Sequence, residues 1–209
     1  MKILLFTDVH SSEHVKNPSG YYVDSLEDLV NKFEKVIEKG KDCDLLVCCG
    51  DLSVFSSGLE EVAKILKKSN KKILIIHGNH DDPEEVESFC DGKKLIFLHK
   101  KTITIDDVTF VGYGGDGFSE RDSDFEKWIK GLKLDGKVVL FTHAPPYNTK
   151  LDNLPSWGHR GSKSIREAIE ILKPDLFASG HFHETFLKKD KIGKTNLINP
   201  GDEGTIVEI

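Results

Sequence analysis

Five times along this chain a short apolar run stops at a glycine, an aspartate or a histidine. Residues 3–7 lead into Asp8-Val9-His10, residues 45–49 into Gly50-Asp51, and residues 73–77 into Gly78-Asn79-His80-Asp81. Residues 138–142 lead into His143, and residues 176–179 into Gly180-His181-Phe182-His183-Glu184. Runs of this length are strand-sized, and the unbroken apolar stretch at 45–49 is what a strand buried on both faces requires. Between the runs lie stretches with helical spacing. Leu26, Leu29, Val30, Phe33, Val36 and Ile37 recur three and four apart over residues 25–38, ahead of Gly40, and a second helix is expected over 59–68. Strand and helix in alternation specify an α/β fold. In open α/β sheets ligands bind beyond the carboxyl ends of the strands. Strands lying side by side would therefore bring these five loops to one edge.

The rhythm changes in the second half. Residues 102–105 and 108–111 flank Asp106-Asp107 as a hairpin, and a helix over 123–133 carries Phe125, Trp128, Ile129 and Leu132. Residues 144–162 read as a long loop, and a helix over 164–172 stops at Lys173-Pro174. The tail, 185–209, reads as a small antiparallel meander turning at 190–193 and at Pro200-Gly201. Helical crossovers first and antiparallel strands later imply mixed sheets with helices outside, in one domain over residues 1–209.

With 38% hydrophobic and 31% charged residues, the chain has the balance of a folded globular protein. No apolar run approaches the ~18 residues of a membrane span. Functional-looking residues begin at Asp8, too early for a signal peptide to precede them, so a cytoplasmic protein is expected. Cys43, Cys48, Cys49 and Cys90 form no C-x-x-C pair and read as buried free thiols. A net charge of -6 with dispersed Lys and Arg argues against a stable nucleic-acid complex. A nucleotide substrate remains compatible, because a bound metal brings its own positive charge.

Asp8, His10, Asp51, Asn79, His143, His181 and His183 offer oxygen and imidazole donors. That set suits Mn, Fe, Zn or Ni better than Ca or Mg, which prefer all-oxygen cages. Seven ligands are too many for one tetrahedral ion and about right for two divalent ions sharing a bridging group. Asp8/His10 and His181/His183 are two residues apart, so in extended segments each pair would project to one side. Gly50, Gly78 and Gly180 allow tight exits from the strands. Any one block reads equally well as a turn-forming Asp or a structural His; their recurrence at strand ends points to a single site.

In this order the blocks D-x-H, G-D, G-N-H-D, a lone H and G-H-x-H resemble the calcineurin-like metallophosphoesterase family. The resemblance implies a four-layer αββα sandwich, two mixed sheets flanked by helices. It implies Asp8, His10 and His183 on one metal, Asn79, His143 and His181 on the other, and Asp51 between them. It also implies His80 as general acid with Asp81 orienting its imidazole, manganese as the first metal to consider, and a small phosphate mono- or diester or a nucleotide as substrate. Thr142-His143-Ala144-Pro145-Pro146-Tyr147, Gly158-His159-Arg160-Gly161-Ser162 and Asn199-Pro200-Gly201 look like the small stand-alone prokaryotic branch, the Icc-related phosphoesterases. Asp51 is followed by Leu52-Ser53-Val54, unlike the Ser/Thr protein phosphatases. A single-strand nuclease and a non-catalytic scaffold of the same fold stand as alternatives.

Other residues carry weaker signals. His159 and Arg160 are candidates for contacting the substrate phosphate or its base, with the Gly161 and Ser162 amides as an anion site; helix capping accounts for the same residues. His14 and Asn17 are candidate rim residues, and His77 and His99 read as structural. Glu184 is a candidate partner for a ligand imidazole. Tyr147 and Trp157 suit an aromatic wall or plain packing. Selectivity is expected in loops 11–23, 114–121 and 144–162.

Overall fold

Alternate residues of each central strand face different layers, and this period of two builds the architecture. The computed structural model describes residues 1–10, 25–53, 58–115 and 117–209. The first sheet contains β1 (Lys2–Phe6), β2 (Leu45–Cys48), β3 (Lys72–Ile75), β4 (Leu95–Phe97) and β13 (Thr205–Glu208), in the order β13-β1-β2-β3-β4. Its four N-terminal strands are parallel, and β13 runs antiparallel to β1. The second sheet contains β5 (Lys101–Ile105), β6 (Val108–Tyr113), β7 (Lys137–Thr142), β10 (Leu176–Ala178), β11 (Lys189–Ile192) and β12 (Thr195–Ile198). Its order is β11-β12-β10-β7-β6-β5, parallel at the centre and antiparallel at both edges.

Ile3, Leu5, Leu45, Val47, Leu74 and Ile76 of the first sheet meet Phe110, Val139, Phe141, Leu176, Ala178 and Ile198 of the second in a core between the sheets. The other faces carry Leu4, Phe6, Leu46, Cys48, Ile73 and Ile75 on one side and Val111, Leu140, Phe177 and Leu197 on the other. Three helices cover the first sheet: α1 (Leu26–Lys39), α2 (Leu59–Lys68) and α3 (Pro83–Phe89), through Leu29, Phe33, Val62, Leu66 and Val86. Two more, α4 (Ser123–Lys130) and α5 (Lys163–Leu172), cover the second through Phe125, Ile129, Ile165 and Ile169. The result is the expected four-layer αββα sandwich. Fully burying each such aliphatic or aromatic side chain contributes about 1.5–3 kcal/mol. Cys48 and Cys49 face opposite layers, as their adjacency requires, and all four cysteines are free.

Several boundaries depart from the sequence reading. Helix α3 was not anticipated, although Asp82 accepts the amides of Glu84 and Glu85 and Pro83 occupies the first turn, a standard helix start. Strand β4 was also missed, and α4 ends at Lys130, capped by Gly131, short of 133. The long loop contains a two-residue hairpin, β8 (Asn153–Leu154) with β9 (Gly158–His159). The tail is not one meander: β11 and β12 form a hairpin, but β13 crosses to the first sheet because β1 offers it an open edge. Among the described residues no helix is long and apolar enough to cross a membrane.

Candidate metal centre

Register sets the site. Phe6 pairs with Cys48 and Cys48 with Ile75, so the loops after β1, β2 and β3 leave the first sheet side by side. Ala178 pairs with Phe141, so those after β7 and β10 leave the second sheet together. Two contacts stitch the two edges: His143 Nδ1 lies 3.0 Å from Cys49 O, and the His181 amide donates to Asp8 Oδ2 at 2.9 Å. Within the second sheet the Gly180 amide donates to His143 O at 3.0 Å.

The chain kinks as it delivers these groups. Asp8, Asp51 and His181 have φ of 52°, 56° and 73°, left-handed values that cost a non-glycine residue on the order of 1 kcal/mol each. His183 opens a 3₁₀ turn, His183–Thr185. The extended geometry expected for Asp8/His10 and His181/His183 is therefore corrected: each pair reaches the site through a bend. Two glycines make the approach possible. A Cβ on Gly78 would overlap the Asp51 carboxylate, and one on Gly180 would overlap Thr7 Oγ1 and Asp8 Oδ2.

Donor atoms crowd together. Asp51 Oδ2 lies 3.4 Å from His143 Nε2 and 4.0 Å from His10 Nδ1, and Asp51 Oδ1 accepts the His80 amide at 2.9 Å. Asn79 Oδ1 lies 2.9 Å from both His143 Nε2 and His181 Nδ1. His183 Nε2 lies 3.4 Å from Asp8 Oδ1, while Thr7 Oγ1 donates to Asp8 Oδ2 at 2.7 Å. Ligand atoms of Asp8, Asp51 and His143 fall within 4.8 Å of one another, as do those of His10, Asp51 and His80. Asp8 Oδ1 and His181 Nε2 are buried without a hydrogen-bond partner. Buried polar atoms left in that state are rare, and beside so many oxygen and imidazole donors a bound ion would satisfy both. The donor set fits a pair of divalent cations.

The electrostatics agree. Burial opposes ionisation of Asp51, but the charge and hydrogen bond of His143, then His10, hold its carboxyl well below the usual range. Burial likewise opposes a charge on His143, yet Asp51 and Asp8 push it up to about 10. Burial, then His143, push His181 down to about 4. Burial opposes ionisation of Asp8 too, but the His183 imidazole 3.4 Å away holds it low, and the same contact raises His183 against its burial. The carboxylates thus stay ionised, as cation binding needs, while His143 has to give up its proton to act as a ligand, so that metal binding would release a proton.

All seven expected ligands lie in this cluster, with His80 at its rim, its ring 4.8 Å from that of His10. Asp81 differs from expectation. Its carboxylate accepts the backbone amides of Leu52 (2.9 Å), Ser53 (3.3 Å) and Gly78 (2.9 Å), so it ties the β2 and β3 loops together rather than aiming the His80 ring. Burial and then the nearby Asp51 charge push it up to about 7.

His159 and Arg160 belong to a separate network. His159 Nδ1 lies 2.8 Å from Asp152 Oδ1, and the Arg160 amide donates to Asp152 O. Gly161 N donates to Asp152 Oδ2, and Ser162 Oγ caps α5, so capping accounts for that segment. The hairpin β8–β9 nevertheless packs on the turn that carries His183. Tyr147 is flanked by His159 and Lys163, while Trp157 is exposed. Glu184 acts on His183 through its charge. His77 and His99 are structural as expected: His77 Nε2 lies 3.2 Å from His99 Nδ1, which also accepts the Gly114 amide. His14 and Asn17 lie outside the described residues.

Three residues the sequence did not flag matter here. Thr7 fixes the Asp8 carboxylate. Asp152, fully buried, also accepts the amides of Asn148 and Thr149 and organises the long loop. Buried Asn199 donates to Phe182 O (3.2 Å) and Thr185 Oγ1 (3.0 Å) and accepts from the Gly201 amide (3.1 Å), clamping the segment that holds His181 and His183. Thr7, adjacent to Asp8, and Asn199, in the Asn199-Pro200-Gly201 block, left a usable signal; Asp152 did not.

The family model for calcineurin-like phosphoesterases matches residues 1–185. The chain is 33% identical to an uncharacterized protein of Methanocaldococcus jannaschii, over 87% of this chain and 88% of that one. It is 34% identical to a probable cyclic nucleotide phosphodiesterase of Fibrobacter succinogenes, over 52% of this chain and 44% of the relative. Among solved structures, a Thermus thermophilus protein superposes with a TM-score of 0.68 at 15% identity, covering 97% of this chain and 89% of its own. A dimetal phosphatase from Danio rerio superposes with a TM-score of 0.57 at 12% identity, covering 94% and 86%.

Proposed function

The chain belongs to the calcineurin-like phosphoesterase family, and from that footing we propose that it hydrolyses small phosphate esters, nucleotides among them, at a dinuclear centre. The observation that carries this reading is the convergence of Asp8, Asp51 and His143, and of His10 with Asp51, on one buried cluster in which His181 Nε2 has no hydrogen-bond partner. We assign Asp8, His10 and His183 to one divalent ion, Asn79, His143 and His181 to the other, and Asp51 to both. When bound, the ions supply Lewis-acid charge for the phosphoryl oxygens and acidify water toward neutral pH. Asp51, pinned at Oδ1 by the His80 amide, keeps Oδ2 turned toward His143 and His10. Asp81 holds the Gly78 amide and so sets where Asn79 and His80 leave β3.

His80 is the general acid in this reading. It stands at the partly exposed rim, next to the buried donors. It delivers a proton to the leaving oxygen, and imidazole is the side chain best suited to that near neutral pH. The local geometry also groups a His80 nitrogen with His10 and Asp51. The two roles separate kinetically: loss of an acid hurts poor leaving groups most, typically by ~10²–10⁴-fold. His80→Ala should therefore slow alkyl esters far more than p-nitrophenyl esters, and equal losses remove His80 from the acid role.

Manganese is the first ion to test, with Fe, Zn and Ni fitting the same donors. The experiment is turnover of mononucleotides, cyclic nucleotides and bis-p-nitrophenyl phosphate by chelator-stripped protein reloaded with each ion. Activity restored by metal and lost in Asp51→Asn is the expected result. Salt-sensitive cleavage of oligonucleotides in preference to these substrates would favour a nuclease. A metal-loaded protein inert on the whole panel would favour a scaffold.

A further inference from the structure

Gly117 and Phe118, in a loop that carries no recognisable motif, are seated on the candidate ligand His181. Gly117 has φ +75°, and a Cβ there would come within 2.7–2.8 Å of three atoms of the His181 ring, so the backbone itself lies against the imidazole. The next residue, Phe118, sets its ring 4.9 Å from that of His181 at an interplanar angle of 81°. Phe118 is 74% exposed, the highest value among the described large apolar side chains. Single exposed apolar residues are ordinary. This one is held by a glycine-dependent turn against His181, a residue of the candidate metal centre.

We propose that Phe118 is a specificity-determining residue: a stacking platform for the nucleobase of a nucleoside phosphate ester whose phosphate lies at the metal centre. This inference rests on the phosphoesterase reading above. A planar ring flanked in sequence by a glycine and a serine suits a flat heterocycle, whereas an alkyl chain would need a continuous apolar groove. Stacking of this kind tolerates any base, because every base presents a π-face.

The test uses the manganese-loaded chain and two esters with one leaving group, thymidine 5′-(4-nitrophenyl) phosphate and methyl 4-nitrophenyl phosphate. Phe118→Ala should lower the thymidine-to-methyl ratio of kcat/KM by roughly ten- to a hundredfold, with the loss in KM. Phe118→Tyr should restore it. Calorimetric titration gives a readout independent of turnover: Phe118→Ala should weaken adenosine 5′-monophosphate more than inorganic phosphate. An unchanged ratio, or equal weakening of both anions, overturns the proposal and leaves Phe118 as a prop for His181. A wild-type protein that turns over neither ester sinks the phosphoesterase reading itself, and this inference with it.

Discussion

Asn199→Ala tests whether the metal centre depends on a clamp far from it in sequence. The substitution removes three hydrogen bonds, to Phe182 O, Thr185 Oγ1 and from the Gly201 amide. Phe182 O keeps other donors, the Thr185 amide and hydroxyl, so its loss is mild. Gly201 N is left buried without its acceptor, a deficit of about 1–3 kcal/mol, and each lost bond adds roughly 1 kcal/mol net. A total near 3 kcal/mol is expected, which for a chain of this size lowers Tm by about 6–12 °C. Because the released segment carries His181 and His183, manganese affinity should also fall, by about 10–100-fold. Differential scanning calorimetry and metal titration measure the two effects. A Tm within about 2 °C of wild type would refute the clamp, and a large Tm loss with unchanged metal affinity would refute its link to the site.

Other outcomes follow from the same geometry. Gly180→Ala drives a Cβ into Thr7 Oγ1 and Asp8 Oδ2; a misplacement of that order should cut turnover by about 10²-fold while near-ultraviolet circular dichroism stays native, and retained activity would contradict the close approach. Phe33→Ala removes the ring packed edge-on against Phe6 at 6.4 Å and should cost about 3–5 kcal/mol in urea unfolding; a loss below about 1 kcal/mol would mean that the helix layer repacks freely. Burial and then His77 hold His99 down at about 4, from 6.5. Its neutral form is thus the folded one, so stability is full above pH 6.5 and declines as pH falls toward 4. His99→Asn should flatten that slope relative to wild type in denaturant melts, and an unchanged slope would remove His99 as its source.

The strand-end blocks were legible because burial on both faces leaves an unbroken apolar run, and a glycine or metal-type ligand is conspicuous where it stops. The sandwich followed from alternating helical and strand periods. Backbone torsion was not legible. A spacing of two at Asp8/His10 and His181/His183 looks like an extended strand, yet Asp8 and His181 are left-handed and His183 begins a 3₁₀ turn. The misassigned role of Asp81 has a similar origin: adjacency to His80 suggested contact, whereas its partners are amides of Leu52, Ser53 and Gly78 brought in by sheet register. Asp152 and Phe118 were legible only as members of loops 144–162 and 114–121, and Asn199 only as part of the Asn199-Pro200-Gly201 block, because each acts through loop contacts fixed only by the folded whole.

Strand β13 lies beside β1, and the carboxylate of Asp8 receives its backbone hydrogen bond from His181. Asp8 therefore waits for residue 181 before it acquires that neighbour. A nascent chain arrested before residue 176 would hold Asp8 without His181 and His183, and on the ligand assignment proposed above would bind metal loosely or not at all. On that assignment metal capture follows the synthesis of β10, an order of events that pulse-labelled ribosome-bound chains of graded length would display.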